Sequence, residues 1–190
     1  MSLNSLMSVD WSLLPVPLDD GAAKHLTGAR LPDVVLTANN GAHVATAALS
    51  GRTVIYIYPL TGRPDTDMPP GWDDIPGARG CTPQSCAFRD SMTELRAASV
   101  KHIFGLSVQD TAYQHEAAAR LRLPFPLLSD RSFEFSRALN LPTFTVGKTR
   151  YLKRMTLVAD DARITKVFYP VFPPDQNPHE ILAWSIEAGR

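Results

Sequence analysis

The sequence predicts an α/β domain, a central mixed β-sheet with helices on both faces. Three observations carry this expectation. The run Thr53-Val-Ile-Tyr-Ile-Tyr58 is β-branched and aromatic without polar alternation, as an inner strand covered on both sides should be. Strand-like and helix-like segments then alternate as far as about residue 139. Two strands around Asp160-Asp-Ala162 and a last helix follow, so the sheet has antiparallel members as well.

Taken in order, Leu31 to Leu36 reads as a short strand, Asn39-Asn-Gly41 as a turn and His43 to Thr46 as its return strand. Pro59 stops the strand at 53–58. Residues 61–80 are rich in proline and glycine and form a long irregular loop with one large aromatic, Trp72, read as an anchor for the loop. Thr82 is the expected cap of a helix to about Ser99, with Pro83 in its first turn and Phe88, Met92 and Leu95 on its apolar face. Val100 to Val108 is a strand, and Asp110 caps an alanine-rich helix to about Leu121. Phe125 to Leu128 is a short strand, and Asp130 opens a helix to about Leu139. Arg154–Ala159 and Arg163–Phe168 form the hairpin, and Pro178–Ala188 the final helix.

At 190 residues the chain is long enough for one domain with a sizeable core. Residues 1–30 read as an N-terminal extension and 31–190 as the domain. Formal net charge is zero, which argues against a nucleic-acid or anionic-membrane surface. No apolar run approaches the ~20 residues of a spanning helix, and no secretory signal is visible near Met1, so the expected location is the cytoplasm. The histidines show no paired spacing, and neither a metal nor a cofactor is expected.

Chemistry is expected at the two cysteines, Cys81 and Cys86, too few for a disulfide scaffold. Sulfur attacks as thiolate, and an ordinary thiol is only about 3% ionised at pH 7. A helix N-terminus, with unpaired N–H groups and partial positive charge, favours an anion. Cys81 stands at that position and Cys86 more than a turn further in, which nominates Cys81 as the attacking sulfur. Five residues along a helix turn through about 140° and rise ~7.5 Å, which sets the Cα atoms roughly 8–9 Å apart. A disulfide tolerates at most about 7 Å, so the two can bond only if the first turn unwinds.

The stretch Gly80-Cys-Thr-Pro-Gln-Ser-Cys-Ala-Phe-Arg-Asp90 resembles the peroxiredoxins, closest to the peroxiredoxin Q or bacterioferritin comigratory protein type. Tyr56-Ile-Tyr-Pro59, Ile103 to Asp110, Phe125 to Asp130 and Arg154 to Asp160 fit the family in the same order, across about residues 31–188. The resemblance implies a thioredoxin-like fold and thiol-dependent reduction of hydrogen peroxide or organic hydroperoxides. Cys81 would be the peroxidatic cysteine, Cys86 the resolving cysteine that forms an intramolecular disulfide, and Arg154 the arginine beside the sulfur. The implied partners are a hydroperoxide and thioredoxin or a similar dithiol reductant, with the chain a monomer or weak homodimer. Read without the family, Arg154 is a strand arginine with Arg150 and Lys153 as neighbours that compete for the role. Two features depart from the pattern. Ala78 stands where relatives carry a threonine or serine, so Thr61 or Thr82 is the expected source of a hydroxyl, and an inserted loop precedes the cysteine. Gln84 is a weaker site candidate. The alternative readings are a general thiol–disulfide oxidoreductase, for which the Cys-x-x-Cys spacing is lacking, and a redox sensor without turnover.

Overall fold

The computed structural model describes residues 9–64 and 66–188. Among the described residues are nine strands: β1 Val35–Ala38, β2 His43–Ala45, β3 Arg52–Ile57, β4 Val100–Ser107, β5 Leu127–Ser129, β6 Thr143–Val146, β7 Thr149–Leu152, β8 Met155–Asp160 and β9 Arg163–Phe168. Among the same residues five α-helices accompany them: α1 Cys81–Asp90, α2 Met92–Ala97, α3 Thr111–Leu121, α4 Glu134–Ala138 and α5 Asn177–Ala188. Seven strands form one sheet in the order β2-β1-β5-β4-β3-β8-β9, while β6 and β7 pair as a separate hairpin. β3 runs parallel to β4 and antiparallel to β8, so the sheet is mixed as expected.

The pleat of β3 distributes the core. Val54 and Tyr56, with Tyr58 just beyond the strand, face Phe88 of α1, Leu95 of α2, Ala117 of α3 and Ile181 of α5. Ile55 and Ile57 face the opposite way, toward Phe135 of α4 and toward Leu26 and Leu31. Both faces are therefore covered, one by four helices and the other by α4 with an irregular segment.

That segment lies inside the N-terminal stretch read as an extension. Leu26 is fully buried, and the backbone N–H of Gly28 donates to Ile164 O at 2.8 Å, while Ile164 N–H donates to Ala29 O at 2.8 Å. Within that stretch the chain joins the edge strand β9 before residue 30. Of the same stretch, residues 1–8 lie outside those described.

Four local details differ from the sequence expectation. The hairpin β6–β7 was not expected, and it is where Trp72 is anchored, with ring centroids 5.7 Å from Phe144 and 5.0 Å from Tyr151. The helix expected to run from Thr82 to Ser99 breaks at Ser91 into α1 and α2. Its cap is Gly80, at φ 104, rather than Thr82, which sits inside the first turn. Asp130 does not start α4 directly; its carboxylate accepts from the N–H groups of Phe135 at 3.0 Å and Ser136 at 2.9 Å, capping from several residues upstream. Asp110 behaves as expected, accepting from Tyr113 N–H at 2.8 Å to cap α3.

Candidate active site

The long loop ends at Gly80, and α1 begins at the next residue, Cys81. Glycine is required here on two counts. Its φ of 104° is a backbone state that side chains oppose, and a Cβ would come within 2.8 Å of the Trp11 ring and 2.9 Å of Pro174. With no Cβ, the chain can turn tightly into the helix and hold Cys81 at its first residue, 3% exposed.

Arg154 arrives from the other side. It immediately precedes β8, whose first residue Met155 pairs with Ile57 at the end of β3, so the arginine projects where β3 gives way to the loop. Arg154 is 3% exposed. Its Nη2 donates to Cys81 Sγ at 3.1 Å and to the carbonyls of Ala78 and Arg79, both at 3.1 Å. Nε donates to Gly77 O at 3.1 Å, and Nη1 donates to Gln84 Oε1. Gln84 is itself fixed, its Nε2 donating to Asn177 Oδ1 at 3.1 Å, where Thr156 also donates.

The charge balance of this cluster is the central feature. Every oxygen that accepts from Arg154 belongs to a neutral carbonyl or amide, and among the described residues no carboxylate forms a salt bridge with it. A buried cation without a counter-ion is costly, by several kcal/mol of lost hydration. The one acceptor in the set that can become an anion is the Cys81 sulfur. A thiolate formed there would lie beside the guanidinium as its counter-ion.

The competing cations are engaged elsewhere. Arg150 lies 4.2 Å over the Phe133 ring, Lys153 pairs with Asp20 at 2.7 Å, and Arg89 pairs with Asp90 at 2.8 Å. The structure therefore brings Cys81, Arg154 and Gln84 together, and leaves Arg150 and Lys153 outside.

Cys86 lies in the same helix, 4% exposed, and the two sulfurs are not joined. Burial pushes the Cys86 thiol up, and the nearby Arg89 charge only partly opposes this. α1 is unbroken from Cys81 to Asp90, so helical geometry keeps the two Cα atoms roughly 8–9 Å apart. Bond formation must break this turn, together with the contacts of Gln84 to Asn177 and of the Tyr56 hydroxyl to Ser85 Oγ at 3.1 Å.

Above Cys81 is a crevice of about 10 Å³, lined by Leu60, Gly62, Met68 and Trp72 and by residues 79–83. Trp72 thus both anchors the loop and walls the crevice. Thr61, between two of the lining residues, is held by its backbone: its N–H donates to Gln109 Oε1 at 3.0 Å and its carbonyl accepts from Tyr113 OH at 2.8 Å. The Thr61 and Tyr58 hydroxyls are both buried, and burial pushes the Tyr58 phenol up to about 12 while the side chains of Ser107 and Thr61 pull it back. Ala78 is fully buried and offers only its carbonyl, which lies 3.7 Å from Cys81 Sγ. Sequence reasoning did not single out Asn177. Its place before a proline at a helix start reads as an ordinary cap, and nothing local shows that its side chain turns inward to hold Gln84.

A sequence profile of the Redoxin family matches residues 26–183. Peroxiredoxin Q, chloroplastic, from Oryza sativa subsp. japonica is 30% identical over 157 residues, covering 82% of this chain and 64% of the rice protein. The chain thus spans somewhat under two thirds of that relative. The chloroplastic peroxiredoxin Q of Sedum lineare is 30% identical over 163 residues, covering 84% of this chain and 77% of the relative. Among solved structures, peroxidoxin BcpB from Mycobacterium tuberculosis superposes with a TM-score of 0.67 at 26% identity, covering 86% of this chain and 97% of that one. Peroxiredoxin Q from Xanthomonas campestris shares the fold at 20% identity, with a TM-score of 0.65 and coverage of 94% and 98%.

Proposed function

The chain belongs to the Redoxin family, within it to the peroxiredoxin Q type, and on that premise we propose that it is a thiol-dependent peroxidase in which Cys81 attacks the substrate and Cys86 resolves the product. The observation that carries this reading is the buried Arg154 guanidinium, 3.1 Å from Cys81 Sγ and without a carboxylate partner among the described residues.

In the first step the Cys81 thiolate attacks the terminal oxygen of a hydroperoxide. An S–O bond forms, the O–O bond breaks, and the departing oxygen takes a proton to leave as water or an alcohol. Arg154 is positioned to donate to the oxygen on which charge develops. Cys81 is left as a sulfenic acid. In the second step α1 opens at its first turn, Cys86 sulfur attacks Cys81 sulfur, and water leaves. A dithiol protein such as thioredoxin then reduces the disulfide by exchange, becoming oxidised itself.

The test uses the reduced protein. One equivalent of hydrogen peroxide should remove both thiols and yield one disulfide within the chain, and excess dithiol should make consumption catalytic. An unchanged thiol titre would overturn the peroxidase reading. Oxidation without efficient turnover in excess dithiol would identify a sensor instead.

The resolving step should depend on pH. Because burial pushes the Cys86 thiol up, the closed helix favours its neutral form, and that preference is present below the ordinary thiol range and lost as pH rises through it. Below that range rising pH supplies the attacking thiolate in proportion, and only above it does the opening of α1 itself become easier. Between pH 7 and pH 8 the disulfide-forming rate, followed by quench and thiol trapping, should rise about tenfold, the Henderson–Hasselbalch slope for a group titrating above that window. A flat profile would mean that proton loss from Cys86 does not limit resolution.

A further inference from the structure

We propose that Trp11 is a positioning residue for the resolving step, a strap that holds the first turn of α1 closed and so sets how fast the Cys81–Cys86 bond forms. The proposal rests on the thiol chemistry above for its biological meaning, but its geometry is independent of any peroxide.

Trp11 belongs to a short 3-10 turn, Trp11–Leu13, far from α1 in sequence. Its ring nevertheless occupies the space that a side chain at residue 80 would need, 2.8 and 2.9 Å from an ideal Cβ there. The ring also packs edge-on against Phe172 at a centroid distance of 6.0 Å. Its Nε1 donates to Asp175 Oδ2 at 3.0 Å. Asp175 sits in the turn Pro174–Gln176, and Pro174 crowds the same point beside Gly80, 2.9 Å from an ideal Cβ there. The next residue, Asn177, accepts from Gln84, which accepts from Arg154, which donates to the Cys81 sulfur. The indole thus closes a ring of contacts around the helix start: residue 80 on one side, the 174–177 turn on the other, and the sulfur's own support beneath.

The Cys81–Cys86 bond cannot form while that turn is helical. Opening it requires Gly80 and Cys81 to move, and Trp11 with Pro174 stands against Gly80. Loss of the ring removes a packing contact and an anchoring hydrogen bond from the closed state only, so the open state gains population. Among the described residues Trp11 makes no hydrogen bond or ring contact to Arg154 or to the Cys81 sulfur, so its loss should spare the first step.

The test measures disulfide formation in the full chain with diamide as oxidant. The diazene takes two electrons and two protons, becoming a hydrazine, while the two thiols become a disulfide. Trp11→Ala should form the disulfide about tenfold faster than the parent, the size expected for losing an aromatic contact and its hydrogen bond. Trp11→Phe, which keeps a ring but no N–H, should fall between the two. In parallel, amide hydrogen exchange of residues 81–84 in the reduced protein should lose protection in Trp11→Ala, while β3 and β4 stay protected. Equal diamide rates in all three proteins, or loss of protection spread over the whole sheet, would overturn the strap. Should the parent ignore hydrogen peroxide while the diamide series still follows this order, the peroxidase reading falls and the strap stands.

Discussion

Cys81→Ser should lose all peroxide consumption, with residual rates no higher than buffer. A serine hydroxyl is not ionised at neutral pH and cannot be oxidised to a sulfenic acid, so the chemistry has no substitute in the site. Cys86→Ser should behave in the opposite way. It keeps the first oxidation and stops there, leaving a sulfenic acid that dimedone traps at residue 81 and mass spectrometry locates. The two variants together assign the roles. If Cys86→Ser failed to react while Cys81→Ser consumed peroxide, the attacking and resolving sulfurs would be exchanged.

Arg154→Ala should slow sulfenic acid formation at pH 7 by about 10²- to 10³-fold, the range seen when a preorganised donor to a developing charge is removed. The loss has two sources. The thiolate loses the cation 3.1 Å away, and the transition state loses a donor to oxygen. Arg154→Lys should recover only part of the rate, because an ammonium supplies charge without the planar fork that here reaches Cys81, Gln84 and three carbonyls at once. Stopped-flow measurement with stoichiometric peroxide reads this directly, and circular dichroism checks that each variant folds. An unchanged rate in a folded Arg154→Ala protein would show that the sulfur is activated by the helix terminus alone.

How much of this was legible beforehand depended on whether the signal was local. The continuous apolar run at Thr53–Tyr58 announces a strand buried on both faces, and the glycine before Cys81 announces a helix start. Asp110 caps its helix through bonds within one turn, so it could be read from spacing. Arg154 could be placed only through family resemblance, since an arginine beside a strand is ordinarily solvated, and only the three-dimensional fold shows it walled in by residues 77–84. The β6–β7 hairpin is hard to read because each arm has only four residues: Thr143–Val146 alternates over too short a span to stand out, and Thr149–Leu152 does not alternate. Residues 1–30 read as an extension because no clear period appears in them, and Ala23 and Leu26 lie within that stretch. Their burial depends on Ile164 and its neighbours, more than a hundred positions away. Trp11, Gln84 and Asn177 are linked only by the tertiary arrangement, and no period or motif joins them.

The crevice over Cys81 has a kinetic corollary. A space of about 10 Å³ is at the lower bound for a single water-sized molecule, so the crevice must widen to admit hydrogen peroxide. Hydrogen peroxide has two heavy atoms, and at a ceiling of about 1.5 kcal/mol per heavy atom its affinity cannot exceed ~3 kcal/mol. That corresponds to a dissociation constant in the millimolar range or weaker. At micromolar peroxide the reduced site is therefore vacant most of the time, and the first step runs in proportion to supply. A surge quickens that step until the opening of α1 or the dithiol limits the cycle.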